Sequence, residues 1–233
     1  VPSPRDVGVV IVAAGRGVRL GGSQPKQYLP IAGVPMLLRA IRPFASHPDV
    51  RHVVVVLPPS DAAGPPPWLA SHVGAGLRLA PGGAERSDSV ANGLAALDPA
   101  CGIVLVHDGA RPFVTRDVVD AVIAAARTGD GAVPALPVAD TLKQSGADGH
   151  VARTVPRDGL WRAQTPQAFP REMLAGAHAR AKADGIVGTD DASLVERLGG
   201  RVRLVAGDAR NIKVTTADDL ALAEVLAGTS RWT

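Results

Sequence analysis

The chain has a single cysteine, Cys101, among 233 residues. An internal disulfide is thereby excluded, which fits a reducing, cytoplasmic setting. Flanked by Ala100 and Gly102 ahead of an apolar run, Cys101 reads as a core thiol and not a nucleophile. Aromatic residues make up 3% of the chain, too few for the stacking platforms of single-strand nucleic-acid binders. An excess of one charge is missing too: a net charge of +3 is too small to argue for nucleic acid as a partner. No apolar run approaches the ~18 residues of a membrane span, and no basic-then-apolar leader opens the sequence, so neither membrane nor secretion is expected. Internal repeats, heptads and low-complexity tracts are lacking as well. What is present, 46% hydrophobic and 20% charged residues, is the composition of a globular protein with a sizeable core. The length suits one large α/β domain or two small ones.

Apolar runs alternate with helix-periodic segments. Strands are predicted at Val7–Ala13, His52–Leu57, Leu77–Ala80, Ile103–His107, Ala132–Val138 and Val202–Val205. Helices are predicted at Met36–Ala45, Ser87–Leu97, Arg116–Ala126, Arg171–Ala183, Ala192–Leu198 and Ala217–Leu226. This alternation predicts a mostly parallel sheet covered on both faces. Thr115 and Thr216, each followed by acid in the first turn, are predicted caps, and Pro43 is expected to end or kink its helix. Two regions break the pattern. Pro58–Trp68, rich in proline, is predicted to be a surface loop. Asp140–Trp161, polar and turn-rich, is predicted to be a hairpin or arm projecting from the sheet.

The most informative stretch is Val12-Ala13-Ala14-Gly15-Arg16-Gly17-Val18-Arg19-Leu20, followed by Pro25-Lys26, directly after the first strand. Gly15 and Gly17 permit positive φ and close approach to a ligand, while Arg19 and Lys26 supply cations. A dinucleotide fingerprint is excluded because Leu20 fills the third glycine position, and no P-loop lysine follows Gly17 or Gly21. An ordinary glycine-rich turn is the alternative; Arg19 and the Pro25-Lys26 pair favour phosphate binding.

Open parallel sheets bind ligands beyond the carboxyl ends of their strands, and the chemistry-bearing residues gather there. Gly82–Ser89 follows one strand, Asp108-Gly109-Ala110-Arg111 another, Asp140-Thr141 a third, and Asn211-Ile212-Lys213 precedes the last helix. Asp108 suits Mg²⁺, which needs one carboxylate plus substrate phosphates; capping the next helix or pairing with Arg111 are the alternatives. His107 reads as a packed neighbour, since no second His or Cys stands at zinc spacing. Lys213 is either a surface lysine or catalytic. Ser87 and Ser89 are candidate caps at a helix N-terminus that is itself an anion site. Cations, glycines and one carboxylate suit phosphoryl or nucleotidyl transfer, in which positioning and charge neutralisation do most of the catalysis.

Taken in order, Ala13-Ala14-Gly15-x-Gly17-x-Arg19, Pro25-Lys26-Gln27-Tyr28-Leu29, Gly82-Gly83-Ala84-Glu85-Arg86-Ser87-Asp88-Ser89-Val90, Val106-His107-Asp108-Gly109-Ala110-Arg111-Pro112, Asp140-Thr141, Arg157-Asp158-Gly159-Leu160-Trp161, Gln164-Thr165-Pro166-Gln167, Thr189-Asp190-Asp191-Ala192-Ser193 and Asn211-Ile212-Lys213-Val214-Thr215 resemble the 2-C-methyl-D-erythritol 4-phosphate cytidylyltransferase family over nearly the whole chain. The resemblance implies one Rossmann-like nucleotidyltransferase domain over 1–233 and a homodimer joined through an arm at about 139–161. The implied reaction joins CTP and methylerythritol phosphate, giving the CDP-alcohol and pyrophosphate in the non-mevalonate isoprenoid pathway. By the same resemblance Arg19, Lys26, Arg157 and Lys213 are catalytic. Ala13, Ala14, Gly15, Gly17, Gly82 and Ser89 bind nucleotide. Asp108, Arg111, Thr141, Thr165 and Thr189 bind the polyol phosphate, and Asp108 also meets Mg²⁺. The chain departs from the family at Val12, Gly109 and Ala84, where Pro, Ala and often Asp are usual; Ala84 removes a contact to cytosine or ribose.

Other readings remain in view: a ribitol 5-phosphate cytidylyltransferase, a non-catalytic nucleotide-binding module, and a dinucleotide-dependent oxidoreductase. The second could dispense with Lys26, Asp108, Arg157 and Lys213, all of which are present. The third lacks its fingerprint.

Overall fold

The computed structural model describes residues 5–15 and 25–228. In chain order the elements are β1 (Val7–Val12), a single 3₁₀ turn (Lys26–Tyr28), β2 (Pro30–Ile31), β3 (Val34–Pro35), α1 (Met36–Ala45), β4 (Val50–Leu57), α2 (Pro59–Ala63), α3 (Pro67–Ala70), β5 (Leu77–Pro81), α4 (Arg86–Ala96) and β6 (Ile103–Asp108). There follow α5 (Arg116–Ala126), β7 (Gly131–Pro137), β8 (Leu142–Ser145), β9 (Val151–Val155), β10 (Trp161–Ala163), β11 (Gln167–Pro170), α6 (Arg171–Ala183), α7 (Asp191–Arg197), β12 (Val202–Ala206) and α8 (Ala217–Gly228).

The eight-stranded sheet runs β10-β7-β11-β6-β1-β4-β5, with β12 also on β7. β6, β1, β4 and β5 are mutually parallel. β11 is antiparallel to β6 and β7, and β10 is antiparallel to β7. The chain leaves β1 toward β4 and β5 on one side, then crosses to β6 on the other. β1 is thus the switch point of the sheet, and a crevice opens at the carboxyl ends of β1 and β6.

The parallel strands are apolar where both of their faces are covered, with polar residues limited to Arg51 and His52 of β4, Arg78 of β5 and His107 and Asp108 at the end of β6. Val9, Ile11, Val53 and Leu105 pack under Leu37, Ile41 and Phe44 of α1 and Val118, Val119 and Val122 of α5. Val10, Val54, Val56, Val104 and Val106 face Val90 and Leu94 of α4, Leu174 of α6 and Val195 of α7. Each such side chain, fully buried, contributes ~1.5–3 kcal/mol. At Gly93 a Cβ would lie 2.4 Å from Val10 Cγ1, so only glycine lets α4 lie this close to the sheet. A third cluster joins α8, through Ala223, to Ile31, Met36, Phe113 and Val214.

The predicted strands and helices agree with the structure within two residues at each end, and Asp140–Trp161 contains the predicted hairpin, β8 on β9. Four expectations are corrected. Pro58–Trp68 is not a plain loop but holds α2 and the start of α3, because proline in a helix's first turn forfeits only an N–H that has no partner there. Pro43 does not end α1, which runs to Ala45; its missing N–H falls in the last turn and costs one bond. Thr115 occupies the cap position of α5 without a side-chain cap bond, whereas Thr216 does cap α8, its Oγ1 accepting from Asp219 N at 3.2 Å. Strands β10 and β11 have no counterpart among the predicted elements. Among the described residues no helix is long and apolar enough to cross a membrane.

Candidate active site

A cleft at the switch point is lined by Val12, Ala13, Ala14, Gly15, Lys26, Gln27, Gly83, Ala84, Glu85, Arg86, Ser89, Asp108, Gly109, Ala110 and Lys213. Each wall has a local cause. The end of β1 is held from two sides: Ala13 N–H donates to Val56 O at 2.8 Å, and Ala13 O accepts from Gln27 Nε2 at 2.7 Å. The Gln27 bond fixes the 3₁₀ turn that carries Lys26, whose Nζ donates to Val214 O at 3.3 Å. Tyr28 anchors the other end of that turn, donating to Asp61 Oδ2 at 2.6 Å and meeting Trp68 edge-on. Burial and Asp61 together push the Tyr28 pKa up.

The second wall is the turn into α4. Gly82 N–H donates to Leu57 O at 2.7 Å, and a Cβ at Gly82 would lie 2.3 Å from that of Ala14, so the two loops touch because a side chain is missing. Ser87 and Ser89 do not cap α4. The cap falls on Glu85, whose N–H donates to Asp88 Oδ2 at 3.1 Å. Ser89 instead ties the turn together, accepting from Gly83 N and donating to Glu85 O.

The floor is Asp108, the last residue of β6, paired in register with Val12. Lys213 Nζ stands 2.9 Å from Asp108 Oδ2, Arg86 Nη2 3.6 Å from Oδ1, and Arg111 Nε 3.8 Å from Oδ2. Burial pushes the Asp108 pKa up, but Lys213, Arg86 and Arg111 outweigh it and hold the value at about 2. The carboxylate is therefore ionised at neutral pH. His107, fully buried behind it, is pushed by burial down to about 4 and is neutral. That fits the packed neighbour expected of it.

Of the residues singled out in the sequence, Ala13, Ala14, Gly15, Lys26, Ser89, Asp108 and Lys213 line this cleft, and Gly82 adjoins it. Gly15 does not use the positive φ that glycine permits, and among the described residues nothing lies within 4 Å of a Cβ built there. Gly17 and Arg19 lie outside the described residues. Arg111 sits beside the cleft, its Nη1 donating to Asn211 O at 2.7 Å. Thr165 is not in the cleft wall: it is buried, and its hydroxyl contacts Asp108 N and the His107 ring. Thr189 is exposed just before the capping Asp190 of α7. Thr141 and Arg157 are exposed at the arm and do not line the cleft, and Arg157 donates to Ala139 O.

Sequence reasoning missed Arg86, Gln27 and Asp191 as site residues. Arg86, the first residue of α4, reaches the cleft and places Nη1 2.9 Å from the fully buried Asp191. Asp191 in turn accepts from His178 Nε2 at 2.9 Å. The signal that could have found them was a pair of adjacent acids at a helix start together with an arginine at another.

The arrangement gathers cations, a helix N-terminus and one ionised carboxylate, a combination that binds and aligns phosphates. The sequence model described as 2-C-methyl-D-erythritol 4-phosphate cytidylyltransferase (IspD) matches residues 7–228. The enzyme of that name from Pelotomaculum thermopropionicum is 44% identical over 222 residues, 94% of this chain and 93% of that one. Its namesake from Symbiobacterium thermophilum is 46% identical over 220 residues, 94% of this chain and 92% of that one. The crystal structure of 2-C-methyl-D-erythritol 4-phosphate cytidylyltransferase from Thermus thermophilus superposes with a TM-score of 0.79 at 40% identity, covering 94% of this chain and 97% of that one. The 4-diphosphocytidyl-2C-methyl-D-erythritol synthase structure from Anaerococcus prevotii gives 0.84 at 28% identity, with 96% of each chain covered. Cleft, fold and likeness converge, and the chain belongs to the 2-C-methyl-D-erythritol 4-phosphate cytidylyltransferase family.

Proposed function

We infer that the chain is a cytidylyltransferase that joins CTP to 2-C-methyl-D-erythritol 4-phosphate, releasing pyrophosphate, in the non-mevalonate route to isoprenoids. The observation that carries the reading is the convergence of the Ala13–Gly15 turn, Lys26, the α4 N-terminus, Asp108 and Lys213 on one cleft, in a chain of this family. A phosphate oxygen of the polyol attacks the α-phosphorus of CTP, a new P–O bond forms, and the bond to the β-phosphate's bridging oxygen breaks. The attacking phosphate is already an anion at neutral pH, so no general base is needed. The protein's task is to hold two anions together and align them.

In this reading Ala13, Ala14, Gly15, Gly17, Gly82 and Ser89 cradle the nucleotide. Arg19 and Lys26 neutralise its phosphates, while Lys213 and Arg111 hold the polyol phosphate. Lys26 and Lys213 support the assignment by reaching the cleft from separate loops. Ala84 lines the cleft without a polar side chain, so cytosine recognition falls to neighbouring backbone.

The family implies Mg²⁺, and the donor set bears on the fit. Among the described residues no cluster of three or more His, Cys, Asp or Glu exists to cage a metal. Magnesium, however, is satisfied by one carboxylate plus phosphate oxygens. Asp108 is ionised, and Arg86 approaches its Oδ1 at 3.6 Å. Asp108 is thus the residue that would hold the ion, which when bound supplies charge neutralisation to the triphosphate.

We also read the protein as a cytoplasmic homodimer of single-domain subunits, in which the β8–β9 arm of one subunit completes the other's polyol site. Supporting the dimer, exposed Arg157 and Thr141 do not line their own cleft, and Val151, Leu160 and Trp161 expose apolar surface around the arm. Thr189 would belong to the same polyol site. Cytoplasm is supported by the free, buried Cys101. Pyrophosphate release with CTP and Mg²⁺, measured with methylerythritol phosphate and with ribitol 5-phosphate, tests the function. Preference for methylerythritol phosphate is expected; preference for ribitol phosphate would overturn the substrate assignment.

A further inference from the structure

Lys213 lies on a segment, residues 211–216, that belongs to no strand or helix. Its side chain is half-exposed, yet its ammonium stands 2.9 Å from Asp108 Oδ2. A flexible four-carbon stem keeps such a place only where the main chain beneath it is held. Val214 supplies part of that hold. Its N–H donates to Ala110 O at 2.8 Å, and its side chain is fully buried beside Ile31, Met36, Phe113 and Ala223.

The rest comes from α8. Asp219 Oδ2 accepts from Thr216 N at 2.9 Å while Thr216 Oγ1 accepts from Asp219 N, a reciprocal capping box. Such a box is complete with one contact to the carboxylate. Here the same oxygen takes two more donors, the N–H and the hydroxyl of Thr215, each at 2.8 Å. Thr215 is outside the helix, two residues after Lys213. Led by the Thr215 hydroxyl, these donors outweigh burial and hold the Asp219 carboxyl at about 2. The group is therefore an anion at neutral pH, and its bonds to Thr215 are charge-assisted.

The helix that carries Asp219 is itself anchored. Ala223 is fully buried in the cluster with Ile31 and Met36, and Glu224 Oε2 accepts from Ala32 N at 2.8 Å. Ala32 sits in the turn of the β2–β3 hairpin, which follows directly on the 3₁₀ turn of Lys26. One helix thus grips the carriers of both cleft lysines.

We propose that Asp219 is a positioning residue, which clamps the Lys213 segment to α8 and so sets where Lys213 stands relative to Lys26 and Asp108. Its effect on turnover rests on the cytidylyltransferase reading, but the clamp itself can be read in the free protein. Amide hydrogen exchange, followed residue by residue by NMR, compares the parent with Asp219→Ala. The Thr215 and Thr216 amides are expected to exchange at least about tenfold faster, and the Val214 amide with them. An unchanged Val214 amide would overturn the proposal, because the carboxylate would then cap α8 and hold nothing beyond it.

Turnover supplies the second test. Asp219→Ala is expected to lower kcat about tenfold or more, the scale of a misplaced reacting group, while the KM for CTP stays within about twofold. Asp218→Asn, which removes an exposed charge from the same first turn, is expected to stay within about twofold of the parent in both constants. In a Lys213→Ala background the further change Asp219→Ala is expected to cost less than about twofold, since the group it positions is gone. An equal loss with and without Lys213, or a parental kcat in Asp219→Ala, would overturn the proposal. If Asp219→Ala does not fold, Thr215→Val, which removes only the hydroxyl donor, takes its place in both measurements. Failure of the functional reading would look different: the parent protein would release no pyrophosphate, while the exchange result would stand.

Discussion

Arg86 and Asp191 form an ion pair at 2.9 Å in which the carboxylate is fully buried and the guanidinium opens onto the cleft. Through it one side chain ties together α4, α7 and, by the 3.6 Å approach to Asp108, the end of β6. Burial alone would lower the Arg86 pKa, but Asp191 and Asp108 reverse the effect and raise it.

Asp191→Ala is expected to be among the more damaging polar substitutions in the protein. It takes the partner from the buried His178 and leaves the partly exposed Arg86 guanidinium facing Asp108 at 3.6 Å, a loss toward the lower end of the ~3–5 kcal/mol of a broken buried pair. Arg180→Ala, which removes the exposed i,i+4 pair with Asp184, is expected to shift stability little. Urea unfolding of the two variants checks the contrast. Equal shifts would show that the Arg86–Asp191 pair contributes no more than a surface contact.

Acid should weaken the fold in two windows. Burial depresses His107 from 6.5 to about 4, so below pH 6.5 the unfolded chain takes up a proton that the native ring refuses. Stability then falls as pH drops from 6.5 to about 4, by about 3 kcal/mol in all. Asp108 is held near 2 against an ordinary 3.8; its contribution is whole above about 4 and is lost as pH falls toward 2. Urea midpoints across pH 7 to 3 should show the upper window in the parent and a flatter line in His107→Phe. Parallel curves between 6.5 and 4 would refute the assignment of that window to His107.

The parts of this site legible in the sequence are those whose chemistry and backbone position coincide. Asp108 ends an apolar strand, Lys26 follows a glycine turn, and Lys213 precedes a capped helix, so strand polarity alone brings them to one edge. Asp191 was hidden because an acid in a helix's first turn already has a local explanation, and its pairing with Arg86 across α7 and α4 is purely tertiary. Strands β10 and β11 were hidden because they are three and four residues long and bounded by Pro166 and Pro170, too short to display a period.

Lys26→Ala and Lys213→Ala should each lower turnover at least about a hundredfold, the scale of losing one transition-state charge contact. Their secondary effects should differ. Lys213 is the leading cation holding the Asp108 pKa down, so its removal should raise the Asp108 pKa, whereas Lys26 is not among the leading causes of that shift. Carboxyl titration of Asp108 by NMR in both variants, alongside steady-state rates, separates the two. Near-normal turnover in either variant would remove that lysine from the mechanism.

The arm assignment has a test that needs no structure of the dimer. If Arg157 serves the partner's cleft, an Arg157→Ala homodimer lacks the residue at both sites, and a Lys213→Ala homodimer lacks the lysine at both. A mixed dimer of the two variants would contain one site with both defects and one with neither, because Arg157 and Lys213 of that site come from different chains. Equal coexpression followed by assay should then recover about a quarter of parental activity, since about half the dimers are mixed and each carries one intact site. Exposed Arg157 is the suitable probe: its only hydrogen-bond acceptor among the described residues is the nearby Ala139 carbonyl, so replacing it should leave the subunit folded. Activity no higher than that of the separate variants would mean that Arg157 works within its own subunit, or not at all.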